Sequence, residues 1–230
     1  MILDPGNRYI KAITAHASLK DAAVLEIGCG TGRITGDLAQ QAKRIVATDM
    51  DNKLIRQAEK KLTHGHVEFL HTPEGLPQLA PGIFDLVIYT LSLHHIPKEK
   101  MREHLLHCGT LLKDNGKIIV VEPGNSGTFL DIKKRFGAGS GDEGPEKEAA
   151  IRAIQNLPGW KLSVTYPFDV DFLFTDNADF FSNKLPNYAR LSAEALMELE
   201  SALDRYRTTD GIILSSERYL NVLQRTTGKK

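Results

Sequence analysis

Apolar runs of five to eight residues alternate with helical stripes through the first half of the chain. Residues 22–27, 44–48, 66–70, 84–91 and 117–122 read as strands, and 31–41, 52–62 and 98–112 as the helices between them. Parallel neighbours need crossover connections, so this alternation predicts a parallel sheet with helices on both faces. The segment 83–88, IFDLVI, is nearly all apolar, as a strand buried on both faces should be. In the third helix Met101, Leu105, Cys108 and Leu112 recur at three- and four-residue steps and form its core stripe. Pro97 sits at its start, where a missing N–H costs little. Asp114-Asn115-Gly116 then predicts a turn, because Asn and Gly tolerate positive φ.

Beyond Glu122 the regularity breaks. PGNSG is followed by a basic helical stretch at 131–136 and by GAGSGDEGP at 137–145, a mobile-loop candidate. A helix at 146–156, a strand at 161–166, an aromatic run at 168–181, a helix at 193–207 and a last strand at 218–223 complete the pattern. No internal repeat or heptad is present.

The chemistry concentrates in residues 24–33, VLEIGCGTGR, where a strand runs into glycines 28, 30 and 32 before a helix. Glycine there permits a tight bend and a close approach of backbone to ligand. A dinucleotide fingerprint would need its third glycine at Arg33. The run acidic-x-G-x-G-x-G instead resembles the first motif of the class I methyltransferases that use S-adenosyl-L-methionine; the competing reading is an ordinary glycine-rich turn.

That resemblance implies that Gly28, Cys29, Gly30 and Gly32 admit the ribose and methionine portions of the cofactor, and that Glu26 holds the methionine ammonium through water. It also assigns Asp49 to the ribose diol and Met50 to the adenine face. A carboxylate accepting two hydrogen bonds suits a diol; the alternative is that Asp49 caps the helix beginning near Asp51. His71-Thr72-Pro73-Glu74 matches the family's adenine motif only in part, since Thr72 has only a hydroxyl and Pro73 no N–H. Thr72 and Glu74 are the adenine-side candidates, against a plain strand-ending loop. FDLVIYTLSLHHI, at 84–96, is similar to the fourth motif of small-molecule members, where the residues matching Thr90 and Leu91 line the methionine portion through main-chain groups.

The resemblance covers roughly residues 20–122. It implies a Rossmann-like, doubly wound, mostly parallel seven-stranded α/β sheet with an antiparallel C-terminal strand and a substrate-cap insertion. One domain is expected: an N-terminal helix and lid at 1–20, a cofactor-binding core at 21–122, a substrate-specificity region at 123–210 and a C-terminal strand at 211–230. The product would be S-adenosyl-L-homocysteine.

A sulfonium methyl is already electrophilic, so the protein's main task is to align a nucleophile behind it and exclude water; positioning alone can supply about 7–11 kcal/mol. His94 is the candidate base, with His95 structural. The alternative is that the pair only forms the loop and packs on the next helix. Glu122, at the end of the fifth strand, could hold a substrate amine or hydroxyl or bind neighbouring backbone. His104 and His107 stand three apart on a helix, but no third ligand follows at a familiar spacing and no metal is expected. His64-Gly65-His66 reads as a turn. Tyr9 is either part of a lid over the cofactor or an ordinary packing residue.

Composition narrows the partners. The 230 residues are 41% hydrophobic, with 29 Lys plus Arg against 29 Asp plus Glu, so no net field favours nucleic acid or anionic membrane. Residues 123–210 carry 10 basic and 14 acidic side chains, a balance of −4 that disfavours a polyanion and suits a small organic substrate, including one with a cationic portion. Phe168, Phe172, Phe174, Phe180 and Phe181 would line that region or form its core. The two cysteines, Cys29 and Cys108, suggest no disulfide framework, and no apolar run reaches about 18 residues. With MILDPGNRYIKAI unlike a signal peptide, a cytoplasmic enzyme is expected, a monomer or homodimer acting on oxygen, nitrogen or carbon of a small-molecule methyl acceptor. The rivals are a protein or nucleic-acid methyltransferase, a non-catalytic cofactor-binding protein and a nicotinamide oxidoreductase.

Overall fold

The computed structural model describes residues 1–139 and 143–226. In chain order the elements are β1 (Ile2–Leu3), α1 (Arg8–His16), β2 (Ala23–Ile27), α2 (Arg33–Ala39), β3 (Arg44–Asp49), α3 (Asn52–Lys61), β4 (Val67–His71) and β5 (Phe84–Thr90). After a short 3-10 turn at Leu93–His95 come α4 (Met101–Thr110), β6 (Leu112–Pro123), α5 (Thr128–Phe136), α6 (Gly144–Gln155), β7 (Trp160–Phe174), α7 (Asn177–Lys184), α8 (Ala193–Asp204), β8 (Arg207–Thr208) and β9 (Gly211–Arg225). The chain divides into two compact units. The smaller takes Met1–Tyr9, Pro123–Glu143 and Pro167–Arg218, and the larger takes the rest.

The larger unit holds the α/β sheet, in the order β7-β9-β6-β5-β2-β3-β4. β5, β2, β3 and β4 are parallel neighbours, as are β5 and β6. This is the Rossmann-like, mostly parallel arrangement that the alternating pattern and the motifs implied; with the two-residue strands β1 and β8 the sheet counts nine strands, not the seven expected. Val87, Ile88 and Tyr89 are wholly buried, in keeping with a central strand covered on both faces. The stripe on α4 is core: Met101, Leu105 and Cys108 have no exposed surface and join Leu25, Val46, Val87 and Val120 in one cluster. Burial of each such side chain contributes roughly 1.5–3 kcal/mol.

The expected turn at Asp114-Asn115-Gly116 is instead part of β6. Phe84 pairs with Leu112 and Leu86 with Lys117, so a step of two residues on β5 matches a step of five on β6. The surplus is absorbed as a bulge, and no residue of the tripeptide has a positive φ.

In the smaller unit β1 pairs antiparallel with β7, Ile2 opposite Leu173, and β8 pairs antiparallel with β9. The aromatic run divides between β7 and α7, and Phe172, Phe174, Phe180 and Phe181 pack with Leu199, Leu203, Ile212 and Leu214. These rings are core. Tyr9 is wholly buried with its ring edge-on to Phe168, so it packs and does not form a lid. Of the glycine-rich stretch, residues 140–142 lie outside the described residues, as do 227–230 of the expected C-terminal strand.

Candidate functional site

The glycine turn is built by contacts that only small residues allow. The N–H groups of Gly28 and Cys29 both donate to the Thr48 carbonyl, at 2.8 and 2.9 Å, which tucks the turn against the end of β3. Gly28 has φ +75°, and a Cβ on it would lie 2.4 Å from Ser92 Cβ. Ser92 is held there by its hydroxyl, which donates to the Ile27 carbonyl at 2.6 Å. Gly30, φ +58°, differs: a Cβ on it would meet nothing within 4 Å. Gly32 caps α2 and faces Ala58 and Leu62, so its smallness serves helix packing.

Asp49, the last residue of β3, accepts from Gly30 N–H at 2.8 Å and from Asp51 N–H at 2.9 Å, one bond to each carboxylate oxygen. The α3 cap falls to Asp51, whose side chain accepts from Lys53 N–H at 2.7 Å. Asp49 is thereby aimed at the turn by backbone donors instead of being used by the helix.

A cavity of about 390 Å³ opens at this edge of the larger unit. Among the candidates, Gly28, Gly30, Asp49, Met50, Thr72 and Leu91 line it. Leu91 does so in a left-handed conformation, φ +57°, rare for a leucine. Met50 is 55% exposed, an apolar side chain left at the rim. Thr72 is buried, its N–H donating to the Asp49 carbonyl at 2.9 Å. Glu74 is exposed and lies outside the lining, as do Cys29, Gly32 and Thr90.

Glu26 sits behind the turn, 1% exposed, accepting from the Thr35 hydroxyl at 2.6 Å. Burial raises its carboxyl to about 7, against the opposing Thr35 hydrogen bond and the Arg33 charge. Burial likewise pushes the Cys29 thiol far up, so that it stays protonated.

The two histidines after β5 part company. His94 is 4% exposed and does not line the cavity; its Nδ1 is in hydrogen-bond contact with Oε2 of Glu122, which is wholly buried at the end of β6. The other carboxylate oxygen of Glu122 has no hydrogen-bond partner among the described residues. His95 is exposed and does line the cavity. Of the pair, His95 and not His94 is the one that meets this cavity.

His104 and His107 are occupied by backbone. His107 Nε2 contacts the Pro77 carbonyl at 2.9 Å. His104 Nε2 contacts the Gly75 carbonyl at 2.9 Å and its Nδ1 the Tyr89 hydroxyl at 2.9 Å. Burial holds His104 below its ordinary value, partly offset by the Gly75 contact. His104 also lines the cavity, together with Ile27, Thr48, Leu54, Gly75 and Ser92. Sequence reasoning missed these residues; only Ser92, a small residue just after the β5 strand, carried any signal.

Residues 24–116 match the family described as methyltransferase domain. An uncharacterized methyltransferase of Mycobacterium tuberculosis is 30% identical over 113 residues, which are 49% of this chain and 56% of that protein. The chain spans about half the length of the curated relatives it matches. A solved structure of a candidate type II methyltransferase from Anaeromyxobacter dehalogenans is similar with TM-score 0.63 at 18% identity, covering 95% of this chain and 94% of that one. The phosphoethanolamine N-methyltransferase 1 of Haemonchus contortus, solved with phosphoethanolamine and S-adenosylhomocysteine, has TM-score 0.58 at 14% identity, covering 99% of this chain and 44% of its own.

Proposed function

We propose that this chain, whose residues 24–116 match the methyltransferase-domain family, transfers a methyl group from S-adenosyl-L-methionine to a nucleophilic oxygen, nitrogen or carbon of a small organic acceptor. One observation carries the reading. At the cavity, Gly30 leaves its backbone bare beside an Asp49 carboxylate that two N–H groups hold in place.

The residues fit the cofactor. Asp49 would accept from the ribose diol, Met50 and Thr72 would take the adenine side, and Gly28, Gly30 and Leu91 the ribose and methionine portions. Glu26, behind the turn, would answer the methionine ammonium. When bound, the cofactor supplies an electrophilic sulfonium methyl.

His94 is the chain's candidate base. A proton on Nδ1, held by Glu122, leaves Nε2 as the basic nitrogen, the tautomer a general base needs. A small acceptor is supported by a formal net charge of zero over the whole sequence.

Calorimetry on the full chain tests the reading. S-adenosylhomocysteine should bind and NAD should not. Asp49→Ala should weaken binding about tenfold to a hundredfold, as expected for hydrogen bonds to a charged group worth roughly 1.5–3 kcal/mol. NAD binding without S-adenosylhomocysteine binding would overturn the assignment. Binding of S-adenosylhomocysteine with no turnover on any small acceptor, but with transfer to protein or RNA, would move the substrate class. His94→Gln should lower turnover and leave cofactor affinity intact; unchanged turnover removes His94 from the mechanism.

A further inference from the structure

The smaller unit gathers two cations around one aromatic ring. Arg218, on β9, is 6% exposed. Its Nε donates to the Tyr9 hydroxyl at 2.8 Å, and its Nη1 to Ser216 Oγ at 2.6 Å and to the Glu217 carbonyl at 2.8 Å. Tyr9 is itself fixed, its N–H donating to the Asp4 carboxylate at 3.1 Å. The guanidinium is therefore held by neutral oxygens, which orient it without cancelling its charge.

Lys184, the last residue of α7, lies beside it. Its ammonium stands 5.1 Å from the Phe172 ring centroid and 5.5 Å from that of Phe129, and the Arg218 guanidinium carbon is 5.9 Å from the same Phe172 centroid. Burial first, then the charge of Arg218, holds the Lys184 amine below its ordinary value. Among the described residues no carboxylate forms an ion pair with either side chain. Two like charges drawn out of water raise each other's cost, and an anion reverses the sign of that interaction.

The donors left over define the anion. The guanidinium has two further N–H groups on Nη2, and an ammonium has three donors of its own. The rings of Phe129 and Phe172, packed on each other with centroids 4.9 Å apart, lie against them. A hydrated inorganic ion gains nothing from such walls, whereas a carboxylate on an apolar body uses both the donors and the rings.

We propose that the smaller unit binds an organic acid, its carboxylate on Arg218 and Lys184 and its apolar body against Phe129 and Phe172. Every residue of this site belongs to the smaller unit, so the site stands independently of the methyl-transfer reading, which rests on the larger. The negative balance of residues 123–210 gave no sign of it, because that count weighs exposed acids equally with the half-buried Lys184 and stops short of Arg218.

Benzoate, its neutral isostere benzamide and inorganic phosphate are the probes, titrated into the full chain by calorimetry. Benzoate should saturate, and neither benzamide nor phosphate should displace it. Lys184→Met keeps an apolar stem at a half-buried position and should weaken benzoate about tenfold with the thermal midpoint little changed. Arg218→Lys keeps the charge but loses the fork and should also weaken binding. In lysine-labelled protein, the Lys184 ammonium should titrate higher with benzoate bound, a response that a purely structural lysine would not give. Equal binding of benzamide, displacement of benzoate by phosphate, or unchanged benzoate affinity in a folded Lys184→Met variant would each overturn the proposal.

Discussion

Glu26 and the glycines beside it carry the sharpest predictions at the level of single residues. A carboxyl raised by burial from 4.5 to about 7 binds its proton more tightly in the folded chain than in the unfolded one. Below pH 4.5 both states are protonated and nothing is lost; between 4.5 and 7 the unfolded chain ionises first and stability falls; above 7 the full cost, about 3 kcal/mol, is present. Glu26→Gln should remove that slope and make the protein more stable than the parent at pH 8 but not at pH 4.5, as read from denaturant midpoints. The glycines separate fold from ligand. Gly28→Ala drives a Cβ into Ser92 at a strained φ and should cost stability, at least the roughly 1–2 kcal/mol of the left-handed backbone. Gly30→Ala carries the same left-handed backbone strain but meets open space, so it should lose less stability than Gly28→Ala while losing S-adenosylhomocysteine affinity. Equal melting of the two variants would contradict the distinction. These glycines and Asp49 were legible in the sequence because a turn with positive φ and a strand end are local features, although the contact of Gly28 with Ser92 was not. Glu74 is exposed and outside the cavity lining, and an acidic residue near an expected adenine motif does not by itself say which way the chain turns there.

At the scale of elements, α4 does two jobs that its amphipathic stripe announced only in part. Its apolar face enters the core, and its two histidines reach the carbonyls of Gly75 and Pro77 and tie down the segment after β4. Helical spacing puts residues 104 and 107 on neighbouring positions, which is why they resembled a metal pair. Their shared target is a loop from elsewhere in the chain, and no spacing rule reveals that. His107→Ala should leave the Pro77 carbonyl without this partner and cost about 1 kcal/mol, measurable by thermal melting. His104 gives a pH signature. Its value is depressed in the folded state, so its contribution is fully present above the ordinary 6.5 and is lost as pH falls from there through the folded value. Replacing His104 with glutamine should flatten the decline in stability below pH 6.5; an unchanged decline would assign it to other groups.

For the whole molecule, a ligand that binds only the folded chain at a hundredfold its dissociation constant stabilises it by about 2.7 kcal/mol. Hydrogen exchange with S-adenosylhomocysteine should therefore slow most at residues 27–30, 48–54, 72–75 and 91–96, and slowing confined to 167–218 would contradict the proposed site. Among the described residues no helix is long and apolar enough to cross a membrane. The division into two units was not visible in the sequence, because β7 and β9 each contribute residues to both and no linker marks the boundary. What the sequence alone determined was whatever depends on neighbours along the chain: the alternation of strand and helix, the parallel sheet it demands, the glycine turn and the acidic residue closing the next strand. Only the tertiary structure decided what depends on residues far apart meeting. It paired His94 with Glu122, set His104 into the cavity wall, buried Tyr9 and brought Lys184 beside Arg218. Those pairings are set by packing of a unique core, which pattern and propensity constrain in type but not in partner.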